Sequence, residues 1–299
     1  MRDFVREMRE LPKKHEFFIG FDSDGCVFDS MEVKQKECFC PAFIKAYDLQ
    51  SASKYAREIW EFVNLYSKTR GCNRFYAIDY AMKMIAERPE ILKRGCHPMD
   101  TTDLETWLAN ESKLGNPALE AYLQKVESPT LRQTLEWSYD VNRRVKEMMQ
   151  KGVPPLPGVL SVLQRASQKA DMIVVSQTPL EALEREWSEQ KMAGYVNMIC
   201  GQEHGTKAEH LKFSASGKYP ADQILMVGDA PGDYKAACSN GVLFFPIIPG
   251  QEEESWAELN AEGLERFFGK CYAGEYQEKL LAEFDASLPE KPYWKCNMP

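Results

Sequence analysis

The chain has 299 residues, 44% hydrophobic and 27% charged, enough to bury one large or two modest cores. Its 37 Lys and Arg against 45 Asp and Glu leave a formal net charge of -8 and no long basic run, which argues against a general nucleic-acid binder. No apolar segment approaches transmembrane length and the charged stretch Met1 to Glu10 lacks a signal core, so the expectation is a cytoplasmic protein without a membrane partner.

The nine cysteines are an odd number with no Cys-x-x-Cys pair, and read as free thiols of a reducing compartment. Cys38 and Cys40, and Cys96 beside His97, lack the second ligand pair of a zinc site. The four histidines are too dispersed to suggest a catalytic pair.

In chain order, the first strong signal is the apolar run from Phe17, which reads as a buried strand ending in Asp22-Ser23-Asp24-Gly25. Alternation along an extended segment puts Asp22 and Asp24 on one side, and Gly25 lets the backbone turn with its amides close to an anion. By itself the stretch reads equally as an Asp-rich turn. Residues from about 31 to 150 then read as helices. Apolar stripes recur at Tyr55, Ile59, Phe62, Val63 and Tyr66, and at Phe75, Ile78, Met82 and Ile85. Thr102 to Glu105 has the form of a capping box, and a third stripe runs from Leu131 to Met148. The whole block reads as an inserted helical bundle.

After Gly152-Val153-Pro154-Pro155-Leu156-Pro157, four short apolar runs read as strands: Met172 to Val175, Val196 to Cys200, Ile224 to Val227 and Val242 to Pro246. Helical segments near 158–169, 179–193, 206–213 and 232–239 alternate with them. The fold class is therefore α/β, a doubly wound, mostly parallel sheet whose ligand lies beyond the carboxyl ends of the strands. At that edge stand Ser176 and Gln177, which serve either an anion or the following helix as a cap. Lys207 opens a helix there, as a site cation or a solvated helix end, and Gly228-Asp229 with Asp233 repeats the opening device of apolar run, glycine and carboxylates. Four acidic residues at neighbouring strand ends repel one another unless a cation neutralises them, and Mg²⁺ is the natural candidate.

In type and order, Asp22-x-Asp24-Gly25, Ser176, Lys207 and Gly228-Asp229-x-x-x-Asp233 resemble the motifs of the haloacid dehalogenase superfamily, over roughly 17–30 and 156–246. The resemblance implies a discontinuous Rossmann-like core, 1–30 and 153–299, and an all-helical cap, 31–152. It implies Asp22 as the nucleophile forming an aspartyl-phosphate, and Asp24 as the group that protonates the leaving oxygen and then activates water. Ser176 and Lys207 would hold the phosphoryl group, with Gly25 and Gln177 also lining the phosphate. Mg²⁺ would be held by the Asp22 side chain, the Asp24 main-chain carbonyl and Asp229, with Asp233 supporting metal or lysine.

Asp24 favours phosphatase or phosphomutase chemistry, because carbon–halogen cleavage has no oxygen leaving group to protonate. Two positions depart from the family pattern: Cys26 stands where threonine is common, so a hydroxyl contact is missing, and Lys207 lacks a following proline. In the cap, Lys68-Thr69-Arg70-Gly71-Cys72-Asn73-Arg74 is a basic break between helices. Arg70, Asn73 and Arg74 are candidates for binding hydroxyls or a second anionic group of a small phosphorylated metabolite, although a basic helix end also complements a dipole. The expected activity is Mg²⁺-dependent hydrolysis of small phosphate monoesters, sugar phosphates among them. The alternatives are a phosphomutase and a catalytically weak regulatory module on the same fold. Helical segments beyond residue 246, around Ser255 and Tyr276, carry only a packing role in this reading.

Overall fold

The computed structural model describes residues 3–296. The chain divides into two units, one running up to Met31 and from Gly152 to Leu288, the other from Glu32 to Lys151 with the segment from Pro289 on.

The first unit is built on five parallel strands: β1 (Phe17–Phe21), β2 (Ala170–Val175), β3 (Met198–Cys200), β4 (Ile224–Gly228) and β5 (Leu243–Pro246). They lie in the order β3-β2-β1-β4-β5. Every residue of β1, β2, β4 and β5 is buried, which is why their sequences are nearly continuous apolar runs rather than alternating ones. Alternate side chains feed two cores. Ile19, Phe21, Met172, Val174, Leu225 and Val227 join Trp187 and Trp256 on one face. Phe18, Ile173, Val175 and Met226 pack with Leu211, Ala236 and Phe244 on the other. After β1 the chain adds β2 and β3 on one side, then crosses to add β4 and β5 on the other. The carboxyl ends of β1 and β4 therefore flank a topological switch point, where open α/β sheets bind ligands.

The second unit is helical around an aromatic cluster, with Trp60 4.7 Å from Phe43 and 5.7 Å from Trp137, ring centroid to centroid. Its main helices include Ser53–Asn64, Arg74–Ala86 and Pro129–Met148. The apolar stripes face this core at Ile59, Val63, Phe75, Ile78, Met82, Leu131 and Val141. They leave it at their ends, since Tyr66 is 37% and Met148 54% exposed. The capping box expected at Thr102 does not form. Thr101 is the cap residue, and the amide and hydroxyl of Thr102 instead bond Asp100 Oδ1 at 3.0 and 2.7 Å.

The sequence places everything beyond residue 152 with the sheet; the structure instead groups the segment from Pro289 with the helical unit. The physical reason is Trp294. Its ring meets Phe62 edge-on at 5.7 Å and carries the Arg88 guanidinium at 4.3 Å, while Lys295 pairs with Glu87. Among the described residues, no helix is long and apolar enough to cross a membrane.

Candidate active site

β1 stops at Phe21, but Asp22 N–H continues the ladder by donating to Val227 O at 2.9 Å, so Asp22 is the first residue beyond the sheet and is anchored to β4. The chain then closes a small loop. Val27 and Phe28 both donate to Ser23 O at 2.9 and 3.0 Å, and Gly25, at φ 84°, donates to Phe28 O at 2.7 Å. Gly25 N–H is therefore spent inside the loop and does not present itself to an anion. Two buried tryptophans fix the loop from the core side: Trp187 Nε1 donates to Ser23 Oγ at 3.1 Å and Trp256 Nε1 to Cys26 O at 2.9 Å. Burial, with Asp229, Asp22 and Asp233 nearby, pushes the Cys26 thiol far up, which leaves it an inert packing group.

Asp22 and Asp24 do not share one environment, because the turn ends the alternation that an extended strand would continue. Asp22 is 4% exposed and its Oδ1 lies 3.0 Å from Lys207 Nζ. Asp24 instead has Ser30 Oγ on Oδ1 and Thr178 Oγ1 on Oδ2, the latter at 2.6 Å. Thus hydroxyls do meet this loop, from Ser30 and Thr178 rather than from position 26.

At the end of β2, Ser176 N–H donates to Cys200 O at 3.0 Å, and Ser176 Oγ accepts from Thr178 N at 3.2 Å. Ser176 is not the cap of the next helix, whose cap residue is Pro179. Its hydroxyl is buried at the sheet edge and donates no hydrogen bond among the described residues. The exposed Gln177 donates Nε2 to Gly205 O at 2.9 Å, tying this loop to the one before Lys207.

The helix Lys207–Ser214 starts at a capping box, in which Thr206 N–H reaches Glu209 Oε2 at 2.7 Å and Glu209 N–H reaches Thr206 Oγ1 at 3.2 Å. This fixes Lys207 in the first turn, where Nζ lies 2.6 Å from Asp233 Oδ1 as well as near Asp22. Burial opposes the charge on Lys207, but Asp22 and Asp233, and behind them Asp229, outweigh it and hold the ammonium above its ordinary range.

Asp229 follows β4 and is fully buried, and Asp233 lies in the first turn of Pro231–Asn240, where its Oδ2 accepts from Ala230 N at 3.1 Å. Gly228 makes this possible. A Cβ there would stand 2.5 Å from Asp233 Cβ and 2.6 Å from its Oδ2, so only glycine lets the Asp233 side chain lie across the strand end.

Asp22, Asp229 and Asp233 together offer buried carboxylate oxygens within 4.8 Å of one another. An all-oxygen anionic set of this kind fits a hard divalent cation. Burial, then the like charge of Asp233, with Asp229 adding to it against the pull of Lys207, drives the Asp22 carboxyl well above the carboxylate range. A divalent cation would relieve that repulsion.

The three candidates in the helical unit differ. Arg70 is 3% exposed and donates Nη1 to Leu65 O at 2.8 Å, so the break it lies in is internally bonded rather than open. Asn73 caps Arg74–Ala86, its Oδ1 accepting from Phe75 N at 3.1 Å and its Nδ2 reaching Leu114 O at 3.3 Å. Arg74 stacks on Phe39 at 5.0 Å and donates Nη1 to Ser138 Oγ and Asn142 Oδ1 at 3.0 and 2.7 Å. No carboxylate pairs with it among the described residues, and burial alone lowers it to about 10.

Residues 97–247 match the family model of haloacid dehalogenase-like hydrolases, a span that takes in Ser176, Lys207, Asp229 and Asp233 but not the Asp22 loop. Among solved structures, one called a predicted phosphoglycolate phosphatase, from Haemophilus somnus, is similar at 14% identity and a TM-score of 0.50, over 83% of this chain and 98% of that one. A predicted phosphatase from Clostridium acetobutylicum is similar at 15% identity and a TM-score of 0.44, over 84% of this chain and 100% of that one. At 14% identity the first of these likenesses is one of fold alone. No curated protein matches the chain.

Proposed function

The chain belongs to the haloacid dehalogenase-like hydrolases, and on that premise we propose that it is a Mg²⁺-dependent phosphatase of small phosphate monoesters, working through an aspartyl-phosphate on Asp22. The observation that carries this reading is the placement of Lys207 Nζ between Asp22 Oδ1 and Asp233 Oδ1, 3.0 and 2.6 Å away, beside Asp229 at the switch point of the sheet. Buried carboxylates in excess of cations suit a reaction that brings its own phosphoryl charge together with a metal.

In this reading Asp22 attacks phosphorus and the ester P–O bond breaks. The leaving oxygen takes a proton from Asp24, and water then attacks phosphorus, giving a proton back to Asp24 as the P–O bond to Asp22 breaks and frees its carboxylate. Separate environments support the division of labour, since Asp22 faces the ammonium and Asp24 faces hydroxyls. Ser176 Oγ–H and Lys207 donate to phosphoryl oxygens, and Lys207 is kept in place by Asp233. Asp22 and Asp229, with the main-chain carbonyl of Asp24, would hold Mg²⁺, which when bound supplies the positive charge that keeps Asp22 ionised and offsets the phosphoryl oxygens.

The test is phosphate release from a panel of monoesters with magnesium. Turnover is expected in the native protein, with loss on chelation and in Asp22→Asn. Turnover undiminished in Asp22→Asn would contradict the reading, because an amide cannot form the acyl-phosphate.

A further inference from the structure

Asp24 lies in a turn that is closed by its own backbone, yet its carboxylate is gripped from outside that turn. Ser30, six residues on, holds Oδ1, and Thr178, from the loop after β2, holds Oδ2 at 2.6 Å. An Asp side chain turns broadly about χ2, so the loop alone leaves the direction of the carboxylate unset. Two hydroxyl donors on opposite oxygens fix its plane. A carboxylate has about four acceptor positions, so such a clamp still leaves it able to exchange a proton.

Thr178 is itself held rigidly. Its N–H donates to Ser176 Oγ at 3.2 Å and its carbonyl accepts from Gln202 N at 3.1 Å. The segment after β3 presses against it: a Cβ on Gly201 would stand 2.8 Å from Thr178 O and 2.8 Å from Leu180 N. Branching at Cβ restricts χ1 of threonine, so the direction of Oγ1 follows from the backbone. The chain thus carries position from β3, through Gly201 and Thr178, to a carboxylate that follows β1.

We propose that Thr178 is a positioning residue for proton transfer, acting through Asp24 rather than on the substrate. This rests on the reading of Asp24 as the proton carrier. Its consequence is selective. The grip matters most where the departing oxygen needs a proton, and least where the leaving group is stable as an anion.

Thr178→Val keeps the shape and removes the hydroxyl, and Thr178→Ser keeps the hydroxyl. The probes are phenyl phosphate, whose phenol ionises near pH 10 like a tyrosine, and p-nitrophenyl phosphate, whose phenol is far more acidic, both with magnesium. Thr178→Val is expected to lower kcat/KM for phenyl phosphate about tenfold to a hundredfold, the range set by one hydrogen bond to a charged group. The loss should be clearly smaller for p-nitrophenyl phosphate, and Thr178→Ser should recover most of it. On an Asp24→Asn background, Thr178→Val should change nothing further. Equal losses for the two esters, a loss that adds to that of Asp24→Asn, or Thr178→Ser as impaired as Thr178→Val would each overturn the proposal. If Thr178→Val does not fold, Gly201→Ala pushes the same backbone from outside and should give the same ester-dependent loss; a uniform loss there overturns the proposal. Asp24→Asn with undiminished turnover of phenyl phosphate would instead remove the underlying reading, so the two failures are distinct.

Discussion

Gly228→Ala perturbs the site without replacing any ionisable group. The added Cβ would lie 2.5 Å from Asp233 Cβ and 2.6 Å from its Oδ2, where carbon contacts normally sit near 3.5 Å, so Asp233 must retreat by about 1 Å. Asp233 has no slack. Its Oδ1 is 2.6 Å from Lys207 Nζ and its Oδ2 3.1 Å from Ala230 N, and a retreat of that size carries both beyond hydrogen-bonding distance. Each bond involves a charge and is worth about 1.5–3 kcal/mol, so with partial relaxation the expected loss of stability is about 3 kcal/mol. Lys207 loses one of its two anchors, and a misplacement of about 1 Å near the chemistry costs about a hundredfold in turnover. Chemical unfolding and phosphate release measure the two effects. The diagnostic control is Asp233→Gly, because truncation to alanine would keep the offending Cβ. In that background Gly228→Ala should cost little further stability. Costs that simply add, or a Gly228→Ala protein within about 0.5 kcal/mol of the native one, would refute the steric argument.

Two further outcomes follow from the same geometry. His210 is fully buried, and burial, with His204 and Lys207 close by, lowers its pKa to about 3. The unfolded chain binds a proton at about pH 6.5 that the folded one refuses, so this residue leaves stability flat above pH 6.5. It removes up to about 1.4 kcal/mol per pH unit as pH falls from there toward 3. His210→Leu should flatten the acid limb of the stability curve by that slope, and parallel curves would contradict the assignment. Arg70→Ala removes a buried donor to Leu65 O and should cost about 1–3 kcal/mol of stability while leaving KM for phenyl phosphate within about twofold. A raised KM at unchanged stability would return Arg70 to the role of a substrate contact.

How much of this is legible in sequence depends on the range of the interaction. The strands after Gly152 are readable because burial on both faces demands continuous apolar runs such as Met172 to Val175. Asp22, Lys207, Asp229 and Asp233 are readable because strand ends and helix starts in a parallel sheet converge on one edge. The grip of Thr178 on Asp24 spans 154 residues and leaves no local pattern, so nothing near Thr178 in the sequence announces it. Arg70 reads as a basic surface residue because composition cannot reveal that the break folds back onto Leu65 O. The helix Tyr293–Cys296 is too short to show periodicity, so nothing in it announces that Trp294 packs with Phe62 and Arg88.

A covalent step on Asp22 leaves an acyl-phosphate that can be trapped. The protein, with magnesium, is mixed with phenyl phosphate labelled at phosphorus, quenched in acid within the first turnovers and digested. Label is expected on the peptide containing Asp22, released by hydroxylamine as an acyl-phosphate should be, and absent from Asp22→Asn. Phosphate release at full rate with no label at Asp22, or label persisting in Asp22→Asn, would contradict it.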